Sequence, residues 1–141
     1  MIFFIGLIVS IIAFIVSLCL QHFKVGNIGI LKSIQILSVA FIFIFFIIMT
    51  FLYVGADAEA ENIVKLNYEL NLYQQPVENA FNEYVRFDFY NKVQYHNELL
   101  LHYQQASENF FLKDFYKIEK LGGCQKINFS LRFDEPQLMV G

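Results

Sequence analysis

The side chains most able to do chemistry in this chain are three histidines and two cysteines: His22, His96, His102, Cys19 and Cys124. Glu98 and His102 are four residues apart and would share one face of a helix, as two metal ligands do. Zinc motifs at this spacing carry two histidines and a third ligand nearby, and this chain has neither. Neither cysteine has a second cysteine beside it, so no CxxC pair is present. We predict a solvated Glu98–His102 pair, no metal site and no disulfide.

No motif for catalysis or cofactor binding is present in the sequence. It has no glycine-rich phosphate loop, no GxSxG, no HExxH and no Ser–His–Asp set at a usable spacing. Carboxylates such as Glu83 and Asp88 alternate with lysine and arginine, as on a solvated face. The net charge of −3 gives no basic stripe for nucleic acid. We therefore expect no enzyme, no cofactor and no nucleic-acid partner, with bound lipid as the one ligand left open.

Two long apolar runs dominate the first part of the chain, at residues 1–20 and 34–54. About 20 apolar residues in a helix cross the roughly 30 Å core of a bilayer. No lysine or arginine precedes Lys24, and the first run is longer than a signal-peptide core, so we expect it to be retained. The predicted fold class is an all-α dominated membrane protein. A transmembrane hairpin (helices 2–20 and 34–54, loop 21–33) precedes an extramembrane helical domain at 55–141 that ends in one β-strand.

The first run carries four small residues at 4-3-4 spacing: Gly6, Ser10, Ala13 and Ser17. Small side chains on one helix face let a second helix approach closely, which drives helix association in lipid. Small residues are also common in membrane helices, so a chance alignment is the alternative. Neither run contains Asp, Glu, Lys, Arg or His, although transport paths usually need an ionisable group. These features predict an anchor with a helix-packing face.

The charges that flank the apolar runs predict an orientation. The connecting loop carries Lys24 and Lys32, whereas Asp57, Glu59 and Glu61 follow the second run. Positive charges favour the cytoplasmic side. We therefore expect loop 21–33 on the cytoplasmic or matrix side, with both termini on the opposite side. The membrane would be the bacterial cytoplasmic membrane or the mitochondrial inner membrane.

The polar part of the chain is predicted to be mostly helical. Asp57, followed by further acidic residues, is a good helix start. Apolar and aromatic residues at 3-4 spacing then predict a heptad seam for a partner or coiled-coil contact: Ile63, Leu66, Leu70, Tyr73, Val77, Ala80 and Tyr84. Pro76 interrupts this seam and predicts a kink or break near Gln75.

Two further boundaries are predicted beyond Pro76. We expect a break near residues 105–107, with Ser107 capping a helix at 108–121 that ends at Gly122. Residues 84–90 fit both a helix and a strand, because apolar and polar side chains alternate there; their helical neighbours favour the helix.

The last predicted element is a strand at residues 126–133. Its apolar side chains alternate with polar ones: Ile127, Phe129, Leu131 and Phe133. A strand must pair its backbone groups with a neighbour. The candidates are residues 84–90 of the same chain or an edge strand of another chain.

The polar part also holds more aromatic rings than a domain of its size can bury, so some should face partners or the membrane surface. We therefore predict a non-catalytic accessory subunit of a larger energy-transducing, respiratory-type inner-membrane complex. The alternative is that these aromatic rings pack against one another in a dense core. The competing functions are a bacterial envelope sensor or adaptor that dimerises through the heptad seam and, ranked last, a small homo-oligomeric pore.

Overall fold

The computed structural model describes residues 2–131, and within that range the chain is helical. It contains α1 (Ile2–His22), α2 (Ile28–Glu78), α3 (Glu83–Glu108) and a short 3-10 helix (Ile118–Leu121). The helices fall into two compact units. The first unit holds the chain up to Asp57 together with Ser107–Tyr116, and the second holds Ala58–Ala106 together with the chain from Lys117.

A tight turn joins α1 to α2 and is shorter than the predicted loop 21–33. The side-chain oxygen of Asn27 accepts a hydrogen bond from Gly29 N at 2.8 Å, and Asn27 O accepts one from Leu31 N. Asn27 therefore caps α2, which begins six residues earlier than expected. Gly26 has a φ of 92°, a conformation that glycine adopts without the strain a side chain would add.

In the first unit, α1 and α2 pack side by side and antiparallel. Near one end of α1, a Cβ built on Gly6 would lie 2.7 Å from Phe45 Cζ. Near the other end, Gln35 Nε2 donates to Gln21 Oε1 at 2.8 Å. The less exposed positions of α2 in this unit alternate in steps of four and three: Leu31, Gln35, Ser38, Ile42, Phe45, Met49, Leu52 and Ala56. This is heptad spacing, which is typical of a helix packed along another helix.

The prediction that a new helix starts at Asp57 is wrong, because α2 runs unbroken through Gly55 and Asp57. A glycine inside a helix costs only about 1 kcal/mol relative to alanine, and here it is followed by a run of strong helix formers. The predicted break at Gln75 is also absent. Pro76 lies in the last turn of α2, so few residues remain to be disturbed before the helix ends at Glu78.

Helix α3 includes residues 84–90, so the helical alternative for that stretch is confirmed. Asn82 caps it, since its side-chain oxygen accepts from Tyr84 N at 3.0 Å. The predicted helix at 108–121 is wrong: Ser107 lies inside α3, and turns follow Glu108 until the 3-10 helix. Asn109 redirects the chain because its side-chain oxygen accepts from Phe111 N and its carbonyl accepts from Lys113 N.

The second unit is a pair of helices closed by the segment after the 3-10 helix. Its apolar core contains residues from both helices and from that segment: Leu70, Val77, Phe89, Val93 and Ile127, with Leu66 and Phe129 packed against them. The rings of Phe89 and Phe129 meet edge to face with centroids 4.9 Å apart. Tyr103 is buried, and its hydroxyl donates to Lys117 O at 3.1 Å.

The predicted strand at 126–133 is not formed in its described part, residues 126–131, and no strand occurs within residues 2–131. Instead of a strand, the side chain of Asn97 pairs with Ile127: Nδ2 donates to Ile127 O, and Oδ1 accepts from Ile127 N, both at 2.9 Å. One amide thus satisfies both backbone groups that a neighbouring strand would have paired. The apolar side chains Ile127 and Phe129 still pack inward. Phe133 lies outside the described residues.

We predict that Gly6→Leu loosens the contact between α1 and α2. The new side chain would overlap the Phe45 ring, and such overpacking costs about 1 to 3 kcal/mol. Gly55→Leu is the matched control, because a Cβ there meets nothing within 4 Å. Thermal unfolding in detergent, followed by circular dichroism, should show a lower midpoint for Gly6→Leu alone. Equal midpoints for the two variants would contradict close packing at Gly6.

Candidate functional site

Four polar side chains meet between the helices of the second unit: Asn67 and Asn71 on α2, and His96 and Asn97 on α3. His96 is fully buried. Its Nε2 lies 3.2 Å from Asn67 Nδ2, and its Nδ1 lies 3.2 Å from Asn97 Oδ1. Asn71 Nδ2 donates to Asn67 Oδ1 at 2.9 Å. We call these four residues the Asn–His network.

The contacts of the network to the backbone fix the direction of its hydrogen bonds. Asn97 must direct Oδ1 toward Ile127 N, so Nδ1 of His96 can only donate to that oxygen. Asn67 directs Nδ2 toward Gln125 O at 3.4 Å, so Nε2 of His96 accepts from the same amide. This arrangement fits the imidazole tautomer that carries a proton on Nδ1.

The network holds the segment after Leu121 against α2 and α3, because it reaches that segment at both Gln125 and Ile127. It contains an imidazole and three amides, with no hydroxyl, thiol or carboxylate among its members. Both ring nitrogens of His96 already have protein partners. The chemistry that this arrangement supports is therefore structural: a polar layer that fixes how three pieces of chain fit together.

The predicted Glu98–His102 pair is replaced by a contact between helices. Nδ1 of His102 lies 2.9 Å from Glu59 Oε1 on α2. Lys92 pairs with Asp88 along α3 at 2.9 Å, and the hydrogen bond and charge of Asp88 raise the pKa of Lys92. This pair is exposed on both sides, so it contributes little to stability. Within residues 2–131, no group of three or more His, Cys, Asp and Glu side chains is placed to hold a metal.

The two cysteines differ in their surroundings. Cys19 is exposed on α1, whereas Cys124 is half-buried in the second unit. Burial raises the pKa of the Cys124 thiol, because the charged thiolate loses solvation there. The thiolate fraction of Cys124 at neutral pH is therefore smaller than that of an ordinary thiol, and its alkylation should accelerate as the pH rises.

The four small residues of α1 all lie on its less exposed side. Gly6 meets Phe45, and Ser17 is buried. Their hydroxyl groups bond within the helix: Ser10 Oγ donates to Gly6 O at 2.9 Å and Ser17 Oγ to Phe14 O at 2.7 Å. Ser38 of α2 is also buried. The contact surface of this helix pair therefore includes small side chains whose polar atoms are satisfied locally.

Only some residues of the predicted heptad seam are buried in the structure. Ile63, Leu70 and Val77 are buried, and Leu66 and Ala80 are half-buried. Tyr73 and Tyr84 are exposed. Ala60, Asn67 and Gln74 alternate with these buried positions on the same face of α2, and they were missed because two of them are polar. Their seven-residue spacing is the signal that could have found them.

The two most exposed aromatic side chains among the described residues of the second unit, Phe81 and Tyr84, lie at the turn between α2 and α3 or just after it. Phe81 is fully exposed, and Tyr84 and Phe87 follow it at intervals of three residues with 77% and 52% of their surface exposed. We call these three residues the aromatic turn. Because solvent-exposed rings are costly and typical of binding surfaces, the aromatic turn is the strongest candidate for a partner contact.

Comparisons of the chain with protein-family models, with curated proteins and with solved structures found no match.

We predict that Asn97→Ala destabilises the second unit by about 2 kcal/mol, because it strips both hydrogen bonds from the buried backbone of Ile127. Asn91→Ala is the matched control, since Asn91 is exposed on the same helix. Denaturant unfolding gives the stability, and hydrogen exchange at the Ile127 amide reports the contact directly. Unchanged exchange in Asn97→Ala would contradict the proposed role of this side chain.

Proposed function

We propose that this chain is a non-catalytic subunit of a larger membrane complex, anchored by α1 and the apolar part of α2 and contacting its partners through the aromatic turn. The exposure of Phe81, Tyr84 and Phe87 is the observation that carries the partner contact. The more specific assignment to an energy-transducing, respiratory-type complex stays a prediction from the sequence.

The anchor is supported by two helices that are long and apolar enough to cross a membrane. Only 6% of the most apolar window of each helix is buried within the protein, whereas the core helix of a water-soluble protein would be mostly covered. Hydroxyl groups in these helices donate to carbonyls of their own helix, as Thr50 does to Phe46 O at 2.8 Å. Such helices offer lipid an almost entirely apolar surface.

The burial of the heptad seam and the position of the α1 serines favour the subunit function over the two competing functions. Ile63, Leu70 and Val77 are buried within the chain itself, which leaves little of the heptad seam for a homodimer. A pore needs a polar stripe facing its lumen. The serines of α1 bond to their own helix and lie on its less exposed side, so they do not support that function.

We predict that Tyr84→Ser, alone or with Phe81→Ser, reduces recovery of partner chains when the protein is purified from native membranes in mild detergent. Removing exposed rings takes away contact area without opening the core of the second unit. Tyr95→Ser is the matched control, because Tyr95 is also exposed on α3 but lies away from the turn in sequence. The same loss in both variants, or none in either, would contradict a contact centred on the aromatic turn.

The orientation that we propose places the turn between α1 and α2 on the cytoplasmic or matrix side, because Lys24 lies in that turn and Lys32 lies near the start of α2. In Cys19→Ser, Cys124 is the one remaining thiol. A membrane-impermeant maleimide added to sealed cells or mitoplasts should then label Cys124 from outside, faster at higher pH because the thiol pKa is raised. Labelling of Cys124 only after permeabilisation would show that the opposite orientation is correct. A denatured sample verifies that the thiol is competent to react.

A further inference from the structure

The turn after α3 carries two neighbouring phenylalanines that are about half exposed. Phe110 and Phe111 each expose 51% of their surface, and their rings meet edge to face with centroids 5.8 Å apart. This turn belongs to the same compact unit as α1 and the apolar part of α2. Its rings are therefore held on the unit that carries the proposed anchor.

A ring contact fixes where along α1 this turn lies. Phe115 is buried, and its ring centroid lies 6.1 Å from that of Phe3, the second residue of α1. The 21 residues of α1 extend for about 31 Å at the helical rise per residue, close to the thickness of a hydrocarbon core. Phe3 thus lies at one edge of the apolar span, and the turn lies at that edge with it.

The turn is built to approach a lipid surface without exposing many unpaired backbone groups. Asn109 accepts hydrogen bonds from Phe111 N, Leu112 N and Lys113 N, through its side chain for the first and its carbonyl for the other two. Leu112 O accepts from Phe115 N and Tyr116 N. Such internal pairing lowers the cost of leaving water.

The lysine of the turn also fits the boundary between lipid tails and headgroups. Nζ of Lys113 lies 5.3 Å from the centroid of the Phe110 ring. A lysine beside aromatic rings is typical of segments at this depth, where rings contact acyl chains and the ammonium group reaches the headgroups.

We propose that Phe110 and Phe111 insert into the bilayer interface and form a third membrane contact, beside α1 and α2. The contact rests on the proposed membrane anchor, because it needs the bilayer edge to lie at Phe3. A partner protein that covers the same rings is the competing occupant, and the experiment must tell the two apart.

The chain contains no tryptophan, so single-tryptophan variants report one position each. Phe110→Trp and Phe111→Trp are reconstituted as full chains into phosphatidylcholine vesicles with and without bromine on the acyl chains, which quenches nearby indole. Phe43→Trp is the reference inside the apolar span, where Phe43 is exposed on α2. Phe81→Trp is the reference for an exposed ring at which the proposal predicts no lipid contact.

We expect blue-shifted emission and quenching by brominated lipid for Phe110→Trp and Phe111→Trp, strongest with bromine near the headgroup end of the acyl chain. Phe43→Trp should be quenched best by deeper bromine. If Phe43→Trp is quenched while positions 110 and 111 are not, the interfacial contact is wrong and the anchor stands; blue-shifted emission without quenching would then show that this chain or a second copy of it covers the rings. If Phe43→Trp itself is not quenched, the membrane anchor fails, and the interfacial contact fails with it.

Discussion

The apolar surface of α1 and of the first part of α2 is the constraint on which the account depends. These helices expose large side chains on every side except the stripe along which they meet, from Ile8 and Ile12 on α1 to Phe43 and Phe46 on α2. Each such side chain left in water would cost about 1.5 to 3 kcal/mol relative to burial. The chain has no further element to cover so much surface within its described residues, so a bilayer or other chains must do it.

The same constraint explains how the two helices meet. Hydrophobic burial cannot drive helix association inside lipid, so contact depends on shape and on a few polar bonds. Gly6 leaves room for the ring of Phe45, and the Gln21–Gln35 hydrogen bond fixes the register near the turn. The second unit differs, because its two helices bury Leu70, Phe89 and Val93 together in an apolar core of their own. The Asn–His network places polar side chains where apolar ones could have packed, but it fixes the position of the segment after Leu121 against the two helices.

The apolar runs and their helical form follow from composition, because a long run without charges leaves few alternatives to a helix. Element boundaries were harder to predict. Asp57 resembles a helix start, but no turn-forming residue stands before it except Gly55, and α2 continues because a helix tolerates a single glycine. Pro76 does mark a nearby helix end, because α2 ends two residues later, at Glu78, and not near Gln75 as predicted.

The closing segment shows what local pattern cannot reveal. Alternation correctly assigned Ile127 and Phe129 to the inner face, but it could not identify the partner of the backbone. That partner is the side chain of Asn97, 30 residues away, which in sequence looks like any polar residue on a helix. The pairing of Asn67 with His96 could not be predicted for the same reason, because polar residues in a buried seam are recognised only when their partners across the helix pair are known.

We propose that this chain works as one subunit among others in a membrane. The most direct measurement is the mass of the particle that contains the full chain after extraction from native membranes in mild detergent, by native mass spectrometry. We predict a particle that contains other polypeptides beside the 16.5 kDa chain. A monodisperse monomer would contradict the account, and a pure homodimer would favour the envelope adaptor instead.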